Sequence, residues 1–305
     1  MRQGSLAGMI AVLVAATLWG TTGTAATFAP TVGPLAMGAA ALGIGGMLQA
    51  LVALPQLRNA RPQLRSHTGI VVAGAVGVFV YPLAFYSSMH LAGVAIGTVV
   101  SLGSAPIASG LLERIVERRR LGAWWMLAAA LGIAGAAVLC VAKLQDAPAE
   151  TMPTVAGVLL GLAAGATYAL YSWSAHRLMH AGIPRAAAMG AVFGIGGLAL
   201  MPVLLITGAP LIQSPQAFAV GAYMALVPMF VGYLAFGYGL SRVAASTATT
   251  LTLVEPAVAA VLAVVIVGER LPIVGWLGMA AICASLLVLA LSPSSRGIAK
   301  LESRI

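Results

Sequence analysis

Apolar residues in this chain follow neither the strict alternation of a half-buried strand nor the single stripe of a soluble helix. They come in long runs broken by short polar punctuation. Such runs, at about 20 residues each, match the length a helix needs to cross the hydrocarbon core of a bilayer. Ten runs can be drawn, over residues 6–28, 34–54, 68–89, 93–112, 122–142, 154–175, 186–207, 216–239, 243–267 and 272–291. "LPQLRNARPQLRSH" parts the second from the third, "ERIVERRR" the fourth from the fifth, and "KLQDAPAETMP" lies near the midpoint. The expectation is an all-α integral membrane protein of ten transmembrane helices. The first run, which follows Arg2, is long enough to span and reads as an uncleaved first helix, not a signal peptide.

Composition agrees with that solvent. Hydrophobic residues make up 61% of the 305 and charged residues 8%, with mean hydropathy +1.02, where a soluble domain carries about 25% charged residues. The net charge of +9 does not indicate nucleic acid, because the basic residues sit at the ends of runs and not along one face. With the N-terminus placed in the cytoplasm, 14 of the 16 Lys and Arg fall in inside segments, and only Lys143 and Arg270 fall outside. The positive-inside rule then places both termini in the cytoplasm.

The runs repeat. "AFYSSMHLAGVAIGTVVSLGSAP" from Ala84 aligns with "AFGYGLSRVAASTATTLTLVEP" from Ala235 with one residue inserted, and "RLGAWWMLAAALGIAGAAVL" from Arg120 aligns with "RLPIVGWLGMAAICASLLVL" from Arg270. "GMIAVLVAATLWG" from Gly8 aligns with "GVLLGLAAGATYA" from Gly157. Five runs are followed by five like them, so the second copy enters the membrane from the opposite face. The expected organisation is residues 1–145 as one five-helix repeat and 146–305 as its inverted partner with a short cytoplasmic tail. Inverted repeats are a feature of secondary transporters, which place their sites at the repeat interface.

The stretch "LVEPAVAAVLAVVIVGERLPIVGWLGMAAICASLLVL" from Leu253, with "TLWGTTGTAATF" in the first run, resembles the EamA family of the drug/metabolite transporter superfamily. The resemblance covers essentially the whole chain. It implies secondary transport of a small metabolite, commonly export of amino acids or similar compounds, by alternating access through a central cavity. The first copy departs from the pattern, with Ala105 before Pro106 where Glu255 precedes Pro256.

Glu255 is the one acidic residue deep in a predicted span; Glu113, Glu117, Asp146, Glu150, Glu269 and Glu302 lie at ends or in links. A charge at the bilayer centre costs about 2.5–3.5 kcal/mol on insertion scales, so such residues face a cavity or a partner. Two readings of Glu255 stand side by side. A protonatable carboxyl can take up and release a proton as a cavity alternates between sides. Alternatively, Pro256 removes the amide that would bond the carbonyl of Thr252, and a protonated Glu255 donates to a nearby carbonyl and merely secures the helix. A third, lesser reading makes it the counter-ion of a substrate amine. Pro106 and Pro256, matched by the repeat, are expected to bend the fourth and ninth helices alike.

Trp19 lies mid-span, away from the interface where membrane aromatics usually sit, and Tyr168 matches it in the repeat, with Tyr171 on the same helical face. These, with Tyr81, Tyr86 and Tyr233 and the hydroxyls of Thr22 and Ser101, are the candidate substrate-cavity residues. Rings offer stacking surfaces; the hydroxyls can equally bond carbonyls of their own helices. The histidines lie at run ends, His67, His176 and His180 on the cytoplasmic side and solvated. Cys140 and Cys283 read as small core residues. No metal spacing, HExxH, GxSxG or phosphate-binding loop occurs, so no metal, cofactor or enzymatic activity is expected. The partners expected are the bilayer, a small-molecule substrate and, in the coupled reading, protons, with nothing to set an oligomeric state.

Overall fold

The computed structural model describes residues 2–118, 120–141, 151–267 and 272–291. Lys143 and the 145/146 boundary, Glu269 and Arg270 of the "GERL" motif, Arg119, and Arg296, Lys300 and Arg304 of the tail lie outside the described residues, as does the Cys140 side chain. Within them every regular element is helical.

Among the described residues nine helices are long and apolar enough to cross a membrane: α1 (Ser5–Thr27), α2 (Pro34–Val52), α3 (Thr68–Ala92), α4 (Ile96–Val116), α6 (Met152–His180), α7 (Arg185–Thr207), α8 (Pro215–Leu240), α9 (Ala245–Ile266) and α10 (Ile273–Leu291). A shorter apolar helix, α5 (Ala123–Val138), occupies the fifth run. The polar link after α2 is itself folded into two short exposed helices, Leu54–Asn59 and Arg61–Ser66, each with Pro in its first turn, where its missing N–H leaves no bond unmade. Gly93 and Gly182 turn the chain with φ of 85° and 84°, a conformation that a Cβ disfavours.

The long helices are apolar all round, and what separates their faces is residue size. On α1 the stripe Leu6, Ile10 and Val14 is exposed, while Val12, Ala15 and Ala16 are fully buried. Small residues inside let backbones close on one another, since lipid tails give apolar helices no hydrophobic reason to associate. A Cβ on Gly77 of α3 would meet the Thr167 carbonyl of α6 at 2.8 Å; one on Gly197 of α7 would meet the Gly43 carbonyl of α2 at 2.7 Å; one on Gly135 of α5 would meet the Gly278 carbonyl of α10 at 2.7 Å. The Gly157, Gly161 and Gly165 row of α6 serves the same purpose against α3 and α4.

The main pairings are α3 with α6, α4 with α6, α2 with α7, α5 with α10, and α1 with α8 and α9. Shifting every helix by five maps this set onto itself: α3–α6 becomes α8–α1, and α4–α6 becomes α9–α1. Helices from early in the chain therefore pack mainly on helices from late in it.

One end of the bundle carries the arginines and is tied by buried polar contacts. Arg242 stacks on Tyr238 with its guanidinium carbon 3.5 Å from the ring centroid, and Arg185 approaches to 5.2 Å. Glu113, at the end of α4, is 2% exposed. Its Oε1 accepts from the Ser246 amide at 2.8 Å and its Oε2 from the Ser246 hydroxyl at 2.9 Å. A carboxylate thus caps the start of α9, where the helix leaves N–H groups unpaired and favours negative charge. The Trp173 indole donates to Glu117 at 2.9 Å. His176 is not solvated, contrary to expectation: it is 7% exposed and its Nδ1 lies 2.7 Å from the Leu240 carbonyl. Cys283 is likewise no core residue, being exposed on α10.

Two outcomes follow. Gly77→Leu forces α3 off the α6 backbone, a cost of about 1–3 kcal/mol for an overpacked contact, and should lower the temperature at which detergent-solubilised protein loses its monodisperse peak. Glu113→Ala leaves the Ser246 donors unpaired, about 1–3 kcal/mol, and should lower that temperature more than Glu113→Gln, which keeps an acceptor.

Candidate functional site

Near the middle of the bundle four helices lose their regular geometry together. α1 breaks at Thr21, between Arg2–Gly20 and Thr22–Thr27. α2 widens to a π-helical stretch at Ala39–Ile44, and α8 does so at Ala225–Val231 around Pro228. α9 tightens to a 3₁₀ turn at Thr252–Val254. In lipid such departures are tolerated only where protein or a polar cavity re-satisfies the backbone. Side chains do so here. The Trp19 indole donates to the Pro228 carbonyl at 2.9 Å, the Thr22 hydroxyl to the Trp19 carbonyl at 2.7 Å, and the Thr252 hydroxyl, itself accepting from the Tyr168 hydroxyl, to the Thr249 carbonyl at 2.9 Å.

The tight turn explains the "LVEP" stretch. Glu255 and Pro256 open a new helical segment, Glu255–Leu262, so Pro256 stands in a first turn, where proline is tolerated. The Thr252 carbonyl, expected to be left free, accepts from the Glu255 amide in i to i+3 fashion. Pro106, its repeat match, lies inside an uninterrupted helix, Val94–Val116.

These irregular segments enclose a cavity lined by Trp19 and Thr22 of α1, Gly38, Ala41 and Leu42 of α2, Tyr81, Pro82, Phe85 and Tyr86 of α3, Met229 and Tyr233 of α8, and Glu255 of α9. Its volume is about 20 Å³, room for on the order of one or two waters. An amino acid does not fit, so this conformation is closed around the site.

Glu255 is 8% exposed. Its carboxyl faces the cavity and has no hydrogen-bond or ion-pair partner among the described residues. Around it the rings pack as a layer. Trp19 lies 4.7 Å from Tyr233 and 5.1 Å from Phe236 between centroids, Tyr81 lies 5.4 Å from Tyr168 and 5.5 Å from Phe85, and Phe85 lies 5.3 Å from Tyr86. These are the separations that aromatic pairs prefer.

Of the residues singled out from the sequence, Trp19, Thr22, Tyr81, Tyr86, Tyr233 and Glu255 line the cavity. Tyr168 and Tyr171 stand behind that lining, 1% and 0% exposed, with hydroxyls bonded to Thr252 and, at 2.7 Å, to Tyr233. Ser101 is fully buried away from the lining, its hydroxyl unpartnered among the described residues. The α2 wall, with Phe85 and Met229, escaped notice. α2 offers only small apolar residues there, and its one usable signal was the run of glycine and alanine that admits neighbours closely.

The comparisons with known proteins agree with this architecture. The EamA-like transporter family matches twice in succession, over residues 6–141 and 155–291. The chain is 36% identical to the uncharacterized transporter YwfM of Bacillus subtilis (strain 168) over 291 residues, 95% of each chain. It is 27% identical over 248 residues to a probable terminal-alkyne amino-acid exporter of Streptantibioticus cattleyicolor, covering 79% of this chain and 80% of that one. One crystal structure superposes with a TM-score of 0.76 at 20% identity, over 95% of this chain and 98% of its own, a likeness of fold. The protein is a multi-pass transporter of the cell membrane. Matched over both halves, this chain belongs to the EamA-like transporter family of the drug/metabolite transporter superfamily.

Proposed function

We propose that this transporter is a ten-span secondary carrier made of two inverted five-helix halves, residues 1–145 and 146–305, with both termini cytoplasmic. It moves a small metabolite, an amino acid or related compound, out of the cell by alternating access through the cavity at Trp19 and Glu255. The observation that carries this reading is Glu255 itself: a buried carboxyl that faces the cavity and, among the described residues, bonds to no carbonyl. The exchange of early and late helices in the packing supports the two halves, the arginine count supports the orientation, and the named amino-acid exporter among the relatives supports the substrate class.

The coupling follows from electrostatics. Closing the cavity over a bare carboxylate removes a charge from water, which is costly in an apolar site. Closure is therefore favoured when Glu255 holds a proton or when a substrate ammonium lies against it. A carrier that closes with either, and poorly with neither, exchanges one for the other across the membrane. Trp19, Tyr81, Tyr86 and Tyr233 give the substrate an amphipathic wall, and Thr22 adds a hydroxyl beside it.

A second reading rests on the same wall. Aromatic faces around a carboxylate suit an organic cation, moved by facilitated diffusion or exchange without protons.

Flux in proteoliposomes separates the two. Vesicles loaded with a panel of amino acids and organic cations are followed with and without an imposed pH gradient. Saturable amino-acid flux enhanced by the gradient is the expected result. In Glu255→Gln, with normal expression, the gradient should lose its effect while substrate counterflow persists. Full gradient-driven flux in Glu255→Gln removes the coupling role, and organic-cation flux indifferent to the gradient favours the second reading.

A further inference from the structure

A second cleft, of about 460 Å³, lies between α1, α8 and α9 on the side of the central cavity away from the arginine-bearing end. Its walls include Thr24, Phe28, Gln216, Tyr223 and Ile266, and among the described residues none that lines it is formally charged. Thr21 lines this cleft, and its chain neighbour Thr22 lines the central cavity. The two spaces are thus separated at one residue step, at the point where α1 breaks.

Among the described residues, a cross-helix side-chain bond spans that step. Thr21 Oγ1 donates to the Leu18 carbonyl at 2.6 Å, which uses its only proton. The 2.6 Å contact between Thr21 Oγ1 and the Tyr223 hydroxyl therefore has Tyr223 as donor. Tyr223 stands two residues before the wide turn Ala225–Val231 of α8, so both bonded residues sit at backbone irregularities. At the cavity wall, the buried Trp19 indole donates to the Pro228 carbonyl and also joins α1 to α8. The arginine-bearing end, by contrast, is tied by Glu113 to Ser246, Glu117 to Trp173, and His176 to Leu240.

We infer that the cleft is the outward vestibule of the carrier, and that the Tyr223–Thr21 hydrogen bond is the gate between it and the central cavity. When the bond breaks, Thr22–Thr27 of α1 and Pro215–Met224 of α8 part at their irregular turns, and the two spaces join. The inference rests on the cavity at Glu255 being the substrate site.

The test is thiol labelling, which requires no substrate. In the full-length chain with Cys140 and Cys283 replaced by Ala, single cysteines are placed at Thr24→Cys for the cleft and Thr22→Cys for the cavity. A charged, membrane-impermeant methanethiosulfonate is applied from the outer face of oriented vesicles. Position 24 should label readily and position 22 slowly. Tyr223→Phe should raise the rate at position 22 by about 3- to 10-fold, the population shift expected for loss of one hydrogen bond, and leave position 24 unchanged. Thr21→Val should do the same, and the double variant should gain no more than either single one, as for two partners in one bond. Position 24 unlabelled would mean a cleft filled by lipid, and an unchanged rate at position 22 in both single variants would mean no gate; either overturns the inference. If labelling behaves as expected but no solute is carried in the proteoliposome assay, the gate stands and the substrate reading fails.

Discussion

Inside a bilayer there is no water to accept or donate a hydrogen bond, so a helix that departs from its i to i−4 ladder must find its partners in the protein. This chain places four such departures side by side, at Thr21, Ala39–Ile44, Ala225–Val231 and Thr252–Val254. Each could be re-satisfied separately; gathered together, they create a place where backbone and side-chain polar groups coexist in an otherwise apolar bundle. The cavity is the consequence. Its walls are the helices that are irregular there, with α3, carrying Pro82, as the fifth. The regular pairs, α5 with α10 and α4 with α6, stay outside it as framework.

The aromatic layer gives that place its stiffness. Tyr171, Tyr233 and Phe193 are each 2% exposed or less, and their centroids lie 4.5 to 6.0 Å apart. Rings packed at that density do not swing aside individually. In the proposed carrier, a cavity of about 20 Å³ would therefore enlarge by moving whole segments, those already broken at the cavity. The packing of α1 against α8 and α9, across the two halves of the chain, means that such a movement displaces one half against the other.

Much of this was legible in the sequence, and the reasons are physical. Segment existence follows from apolar length, and all ten runs are helical among the described residues. The mid-membrane positions of Trp19, Tyr81, Tyr86, Tyr233 and Glu255 were conspicuous because a polar or amphipathic side chain there has few places to go. What was not legible depends on rotation about a helix axis. Tyr168 and Tyr171 satisfy every sequence criterion for the cavity, yet their hydroxyls are spent on Thr252 and Tyr233, behind the wall. Glu113 and His176 stand at run ends that look solvated, and tertiary contacts bury them. The α2 wall carries no polar residue to mark it. Local sequence shows the period of a helix but not its facing when all faces are apolar.

The two halves differ at the cavity. Glu255 has Ala105 as its repeat match, and Trp19 has Tyr168. Pro256 begins a helical segment after a tight turn, whereas Pro106 rides within a continuous helix. Equal halves would give a cavity with two carboxyls facing each other, and two like charges in one closed space hold each other's protons. A single carboxyl, with no partner among the described residues, has two states only. In the proposed exchange it carries one proton or one substrate charge per crossing, never both at once. The single acid of the matched pair, Glu255 against Ala105, thus suits the proposed exchange. It fixes the stoichiometry of the proposed exchange, and it leaves α4 free to serve as the rigid strut that holds the start of α9 through Glu113.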